Sequence, residues 1–253
     1  MSVGGLRTSL EGNALTLTLD RPEKRNALSS ALVESLHAAL ERADLDAEVR
    51  VVVVRGSGTD FCAGADLGEL LASADRTLAE NEREAMRLGE LFIRMRGVPK
   101  PVVAVVQGRA LAGGAGLALA CDLVVAGDDA QIGFPEIRRG FVPAMVMTLL
   151  RRAVPEKVAF DLVATGGTLG ASVARDLGLF SRVVPAGDLD RAAGELVANL
   201  AGAAPSAMGL TKRLFYELDG TGFAQGIGLG ARVNALARAT PEFRSAITAF
   251  LGQ

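Results

Sequence analysis

Three short stretches of this 253-residue chain hold residue types from which a reactive site can be built. The first is Gly108-Arg-Ala-Leu-Ala-Gly-Gly-Ala-Gly-Leu-Ala-Leu-Ala-Cys-Asp122, which follows the apolar run Val102–Val106. A buried strand, a turn at Gly113, Gly114 and Gly116, and a helix of small apolar residues would leave free backbone N–H groups at the helix N-terminus. Such a terminus attracts an anion. The same glycines also suit plain close packing of a helix. The second stretch, Phe61-Cys-Ala-Gly-Ala-Asp-Leu67, is again built of residues small enough to let backbone approach a ligand. The third, Phe134-Pro-Glu-Ile137, offers a carboxylate. Glu136 can act as an acid/base group, or simply sit in a first helical turn after Pro135, where negative charge is favourable.

Other chemistries find less to work with. Cys62 and Cys121 are the only cysteines, in apolar settings and without metal or redox spacing. They predict buried packing, not a nucleophile, and no metal site. His37 is the only histidine and stands far in sequence from every candidate. That excludes a serine-hydrolase relay, which needs a histidine beside its nucleophile. A net charge of −2 argues against a broad nucleic-acid footprint. The N-terminus lacks a basic region followed by an apolar signal core, and Ala110–Ala120 is too short to cross a bilayer. The expectation is a soluble, cytoplasmic protein with no nucleic acid and no membrane partner. With 49% hydrophobic and 22% charged residues, a chain this long can bury a large core without disulfides.

The elements that must position these stretches follow from periodicity. Ala14–Leu19 alternates apolar residues with threonine, as a half-buried strand does, and a weaker strand near Leu6–Leu10 can pair with it. Ser29 or Ser30 can cap a helix running to about Arg42, with Leu32, Leu36 and Leu40 on one stripe. Arg50–Arg55 and Val102–Val106 read as strands buried on both faces. Leu67 to about Gly97 reads as one helix with an exposed charged middle. Leu123–Ala126, Gln131-Ile132 and Ser181–Val184 read as short strands, and most of the chain after Pro143 reads as helix. Strands alternating with helices, then helices alone, predict an α/β core followed by a helical C-terminal part.

Arg21-Pro-Glu-Lys-Arg-Asn-Ala-Leu28, Phe61–Leu67, the Gly108–Asp122 segment and Phe134-Pro-Glu136, in that order and spacing, resemble the crotonase family, also called the enoyl-CoA hydratase/isomerase family. The similarity continues through Ala171–Pro185 and Pro205–Lys212 and so spans nearly the whole chain. It implies an α/β fold with a repeated ββα spiral core over residues 1–195 and a helical C-terminal trimerisation region over 196–253. It also implies a homotrimer or hexamer, and an acyl-CoA substrate with no separate cofactor, since CoA is part of the substrate. By resemblance, the backbone N–H groups of Ala65 and Gly113 hold the oxygen of a thioester enolate. Lys24, Ala27, Ala63, Gly64, Asp66 and Leu67 would lie against the substrate. Lys24 and Arg25 would either meet CoA phosphate or form an ordinary solvated turn. Asp66 is expected to hold the donor loop by accepting hydrogen bonds. Phe243 and Phe250 would close the acyl pocket or pack in the core.

The acids decide the reaction. Hydratases of this family hold their water between two glutamates, and the resemblance assigns one of them to Glu136. The other position is Gly116, which has no proton to give. A lone glutamate suits removal of a C2 proton from a 3-enoyl-CoA and its return to C4. The further acids of the dienoyl-CoA isomerase pattern are missing, with Gly116 and Ala144 in their places. Glu69 is a carboxylate from elsewhere that could reach the cavity and support hydration. The alternative to an enzyme is a catalytically weak acyl-CoA-binding family member.

Overall fold

The structure, a computed structural model, describes residues 2–252. A hairpin of β1 (Leu6–Glu11) and β2 (Ala14–Leu19) opens the chain, followed by a 3-10 turn at Pro22–Lys24. Next come α1 (Ser30–Leu45), β3 (Val51–Gly56), α2 (Leu67–Ala72), α3 (Leu78–Gly97), β4 (Val102–Val106), β5 (Arg109–Leu111) and α4 (Gly113–Ala120). β6 (Leu123–Gly127), β7 (Gln131–Gly133), a 3-10 turn at Pro135–Arg139, α5 (Ala144–Ala153), α6 (Glu156–Thr165), β8 (Thr168–Gly170), α7 (Ala171–Asp176) and β9 (Arg182–Val184) complete the mixed part. The chain then continues as α8 (Leu189–Gly202), α9 (Pro205–Glu217), α10 (Phe223–Arg238) and α11 (Pro241–Phe250).

The larger sheet has the order β1-β2-β3-β4-β6-β9, and every pairing except β1–β2 is parallel. Alternate residues face opposite sides, so its valine runs serve two cores at once. Val52, Val54, Val102, Ala104, Val106 and Val124 enter the main core. Val51, Val53, Val103, Val105 and Val125 face Leu189, Ala192, Ala193 and Leu196 of α8. The smaller sheet, β5-β7-β8, forms a second layer. Two single parallel bridges extend that layer, Cys62 to Ala110 and Leu28 to Ala65. Each pass of the chain therefore gives one segment to the large sheet and the next to the small layer: β2 then Leu28, β3 then Cys62–Ala65, β4 then β5, β6 then β7. This is the ββα spiral. It repeats in geometry without a repeat in residues.

Four expectations about elements need correction. The single helix over Leu67–Gly97 is two helices. Asp66 caps α2, and Thr77 with Glu80 forms a capping box that starts α3, so the polar run between them is a turn. β5 and β8 went unread because three residues carry no period. The strand expected at Arg50–Arg55 is shifted by one residue, since Arg50 pairs its backbone with Asn13 before β3 begins. Phe243 and Phe250 are not core residues: α10 and α11 bury nothing, and Phe250 is 86% exposed. Helix α8, which spans residue 195, packs on the large sheet. Among the described residues, no helix is long and apolar enough to cross a membrane.

Candidate active site

Three parallel segments lie side by side, with Cys62 opposite Ala110 and Ala110 opposite Ile132. Three residues beyond Cys62 stands Ala65, three beyond Ala110 stands Gly113, and four beyond Ile132 stands Glu136. The motifs read separately in the sequence thus leave one layer at the same end of adjacent segments.

The two N–H groups are left free by the way their neighbours bond. Leu28 N–H donates to the Gly64 carbonyl (2.7 Å), and its own carbonyl accepts from Asp66 N–H (2.9 Å). Ala65, between these two, turns its N–H away from Leu28. Gly113 is the first residue of α4, so its N–H has no acceptor within the helix. Among the described residues neither group has a backbone acceptor outside helices and strands. A Cβ built on Gly113 would stand 3.7 Å from the Ala65 nitrogen, which sets the two donors next to each other.

Close packing holds them there. A Cβ at Gly114 would meet the Cys62 carbonyl oxygen at 2.2 Å, so α4 sits directly on the donor loop. Gly64 has φ +102°, and a side chain there would meet Ala112 Cβ at 2.9 Å. Ala112 itself has φ 52° and ψ −123°, a strained conformation for a residue other than glycine. The glycines thus pack the helix closely and leave the Gly113 N–H without an intrahelical acceptor.

Polar ties fix the loop from the other side. Asp66 accepts from Arg21 Nη2 (2.9 Å) and from Gly68 N–H (3.0 Å). The Arg21 guanidinium holds the Asp66 carboxyl below the usual carboxylate range. Arg21 Nη1 also donates to the Ala27 carbonyl (2.6 Å), and Ala63 N–H donates to the Arg25 carbonyl (2.9 Å). Asn26 is fully buried, and its amide donates to the carbonyls of Ser57 and Asp60, both at 2.8 Å. Arg21 and Asn26 were not among the expected site residues, although the Arg21–Leu28 motif contains both. Of the expected substrate contacts, Ala27 and Gly64 are buried, Ala63 and Asp66 are half-buried, and Lys24 and Leu67 are exposed. Lys24 has no side-chain hydrogen bond among the described residues, and neighbouring Arg25 is exposed too.

Glu136 lies in the 3-10 turn Pro135–Arg139, which ends at Gly140 with φ 67°. It is only 7% exposed, and its Oε2 finds no partner among the described residues. Burial raises its pKa, and hydrogen bonding to its own backbone and the Arg139 charge offset that only in part. A buried carboxyl with one unpartnered oxygen and a raised pKa is suited to exchanging a proton with a bound substrate.

The surroundings of Gly116 are hydrocarbon. A Cβ on Gly116 would meet Val146 Cγ2 at 2.8 Å and Phe92 Cζ at 2.9 Å. Phe92 and Val146 are both buried. Neither residue entered the sequence reading, because nothing in their own segments links them to Gly116. Ala144 opens α5 on the exposed surface, and Glu69 accepts from Ser30 N–H (2.8 Å) and Oγ (2.9 Å) at the start of α1. Restoring the acid as Gly116→Glu is expected to destabilise the protein by about 3 kcal/mol through overpacking and a buried charge. Adding Phe92→Ala should recover part of that loss, as read by the urea midpoint of each variant.

A family model described as enoyl-CoA hydratase/isomerase matches residues 10–251. The chain belongs to the enoyl-CoA hydratase/isomerase family. A Thermus thermophilus protein named "Putative enoyl-CoA hydratase" is 43% identical over 240 residues, 95% of each chain. The 2,3-dehydroadipyl-CoA hydratase of Escherichia coli is 35% identical over 97% of this chain and 95% of its own. Among solved structures, an enoyl-CoA hydratase of Mycobacterium smegmatis superposes with a TM-score of 0.94 at 32% identity, covering 98% of this chain and 96% of its own. This crotonase-family member is therefore an enzyme of the hydratase/isomerase type, on the fold its motifs imply.

Proposed function

We propose that the protein moves a double bond in an acyl-CoA through an enolate held by the N–H groups of Ala65 and Gly113, with Glu136 as the sole acid/base. The observation that carries this reading is the hydrocarbon at Gly116. Gly116 carries no carboxylate, and any side chain there would start against Phe92 and Val146. With a 3-enoyl-CoA bound, the Glu136 carboxylate takes a C2 proton. The electrons spread over the thioester oxygen and C4, and the same carboxyl returns the proton to C4, giving the conjugated 2-enoyl-CoA. A preorganised donor aimed at the developing oxyanion contributes about 2.7–4 kcal/mol, and backbone donors need no titrating group. CoA arrives and leaves as part of the substrate, and Lys24 and Arg25 are free to meet its phosphates.

Hydration is the second reading, favoured by the names of the Thermus and Escherichia relatives. The two separate by rate. Wild-type enzyme given 3-enoyl-CoA and 2-enoyl-CoA in parallel should isomerise the first at least tenfold faster than it hydrates the second. Hydration as fast as isomerisation would mean that water is activated without a second carboxylate, and the isomerase reading would fall. Binding of both thioesters without turnover would point to the acyl-CoA-binding alternative.

The C-terminal helices support assembly into trimers or paired trimers. α10 and α11 bury no residue, yet carry Phe223, Ile227, Leu236, Phe243, Ile247 and Phe250 on their surfaces. So much exposed apolar surface is unusual for a monomer. Light scattering after size exclusion should give three or six times the 26.2 kDa chain mass. Ile227→Asp with Phe223→Asp should shift the mass towards one chain; a monomeric wild type would contradict this.

A further inference from the structure

The most deeply buried cation of the fold lies at the opposite end of α4 from Gly113. Lys212, on α9, pairs with Asp122 at 2.7 Å, with side chains 5% and 16% exposed. Its ammonium also donates to the carbonyls of Met95 (2.8 Å) and Lys100 (2.9 Å), which uses all three of its protons. Asp122 follows directly on the C-terminal end of α4. Its Oδ2 accepts from Val102 N–H (2.6 Å), its own N–H donates to the Val102 carbonyl (2.8 Å), and its Oδ1 accepts from Tyr216 Oη (2.8 Å). Arg96 stacks over the Tyr216 ring at 4.8 Å. One ammonium thus joins the end of α3, the approach to β4, the end of α4 and the C-terminal helix α9.

All eight residues of α4 are buried, so the helix moves as one piece or not at all. Its N-terminal end has no slack, because Gly114 rests on the Cys62 carbonyl and Ala112 is already strained. We propose that Lys212 is a positioning residue: through Asp122 it fixes the far end of α4 and thereby the aim of the Gly113 N–H at the near end. This rests on the reading of Gly113 as an oxyanion donor. A displacement of about 1 Å at a reacting centre can cost about 100-fold in rate even when the change lies far from the chemistry. The Gly113 N–H would meet the thioester oxygen most strongly as it gains charge, so the loss falls mainly on kcat and less on KM.

The test uses the full-length enzyme with Lys212→Met, and Tyr216→Phe as a milder change that removes one bond to Asp122 without stranding a charge. Steady-state kinetics on the better thioester substrate is paired with binding of acetoacetyl-CoA, whose enolate is read by its ultraviolet absorbance. Folding of each variant is checked by circular dichroism. Lys212→Met is expected to lower kcat at least tenfold with KM within threefold, and to weaken the enolate signal in parallel. Tyr216→Phe is expected to lower kcat two- to fivefold with its melting temperature nearly unchanged, and it decides the matter alone if Lys212→Met does not fold. A folded variant with wild-type kcat and a wild-type enolate signal overturns the inference. A wild type that neither turns over nor stabilises the enolate overturns the donor reading instead, and the positioning role with it.

Discussion

Replacing Glu136 by Gln is expected to reduce kcat by about 10²–10⁴-fold, the usual contribution of a positioned acid/base, while leaving the protein folded. The amide matches the carboxyl in shape but cannot take a proton. The same substitution removes a buried carboxylate with one unpartnered oxygen, so the melting temperature at neutral pH should be equal to or above that of the wild type. The sign of the pH dependence follows from the direction of the shift. Burial raises the folded-state pKa of Glu136 above its unfolded value. Between those two values the folded state binds more protons, so this group makes stability fall as pH rises through that window. In the Gln variant that contribution disappears. Activity runs the other way, since a general base must be deprotonated. The wild-type kcat/KM should climb with pH through a value above the usual carboxylate range. Rate and stability profiles of the two proteins, measured over the same pH range, check both halves.

The second large effect is expected at Gly113. Its role is carried by a backbone hydrogen, so side-chain substitution is an indirect probe. Proline deletes the N–H at a helix position that has no intrahelical use for it. It also restricts Ala112, whose φ 52° and ψ −123° lie outside the extended region proline favours in its predecessor, so part of the cost falls on stability. Gly113→Pro should therefore lower kcat by about 10²–10³-fold, in line with the loss of one oxyanion donor. The helical circular dichroism should be retained, and the enolate absorbance of bound acetoacetyl-CoA should vanish. Retention of that absorbance in a folded variant would show that the thioester oxygen is held by other groups.

Much of this was legible before the structure. The valine runs of β3 and β4 announced strands buried on both faces, and the small residues around Ala65 and Gly113 announced close backbone approach. What the sequence hides is whatever depends on contact between distant segments. The register of Cys62, Ala110 and Ile132 is a property of three short segments, each too brief to carry a period. The break between α2 and α3 was in plain view as Thr77 and Glu80, but the surrounding charged residues fit an exposed helix equally well. The sequence shows a glycine at position 116, yet only the packing of α3 and α5 against α4 shows that Phe92 and Val146 crowd it. A single substitution at Gly116 cannot rebuild a two-acid site without moving those two side chains.

The proton itself offers the most direct test of the central claim that Glu136 alone carries it between C2 and C4. The measurement is the fate of deuterium from a C2-deuterated 3-enoyl-CoA in ordinary water, read by mass spectrometry and proton resonance on the first product formed. A single buried carboxyl, with one oxygen unpartnered, should return part of the label to C4 of a 2-enoyl-CoA, and Glu136→Gln should abolish the transfer. A 3-hydroxyacyl-CoA as the main product, or undiminished label transfer in Glu136→Gln, would contradict it.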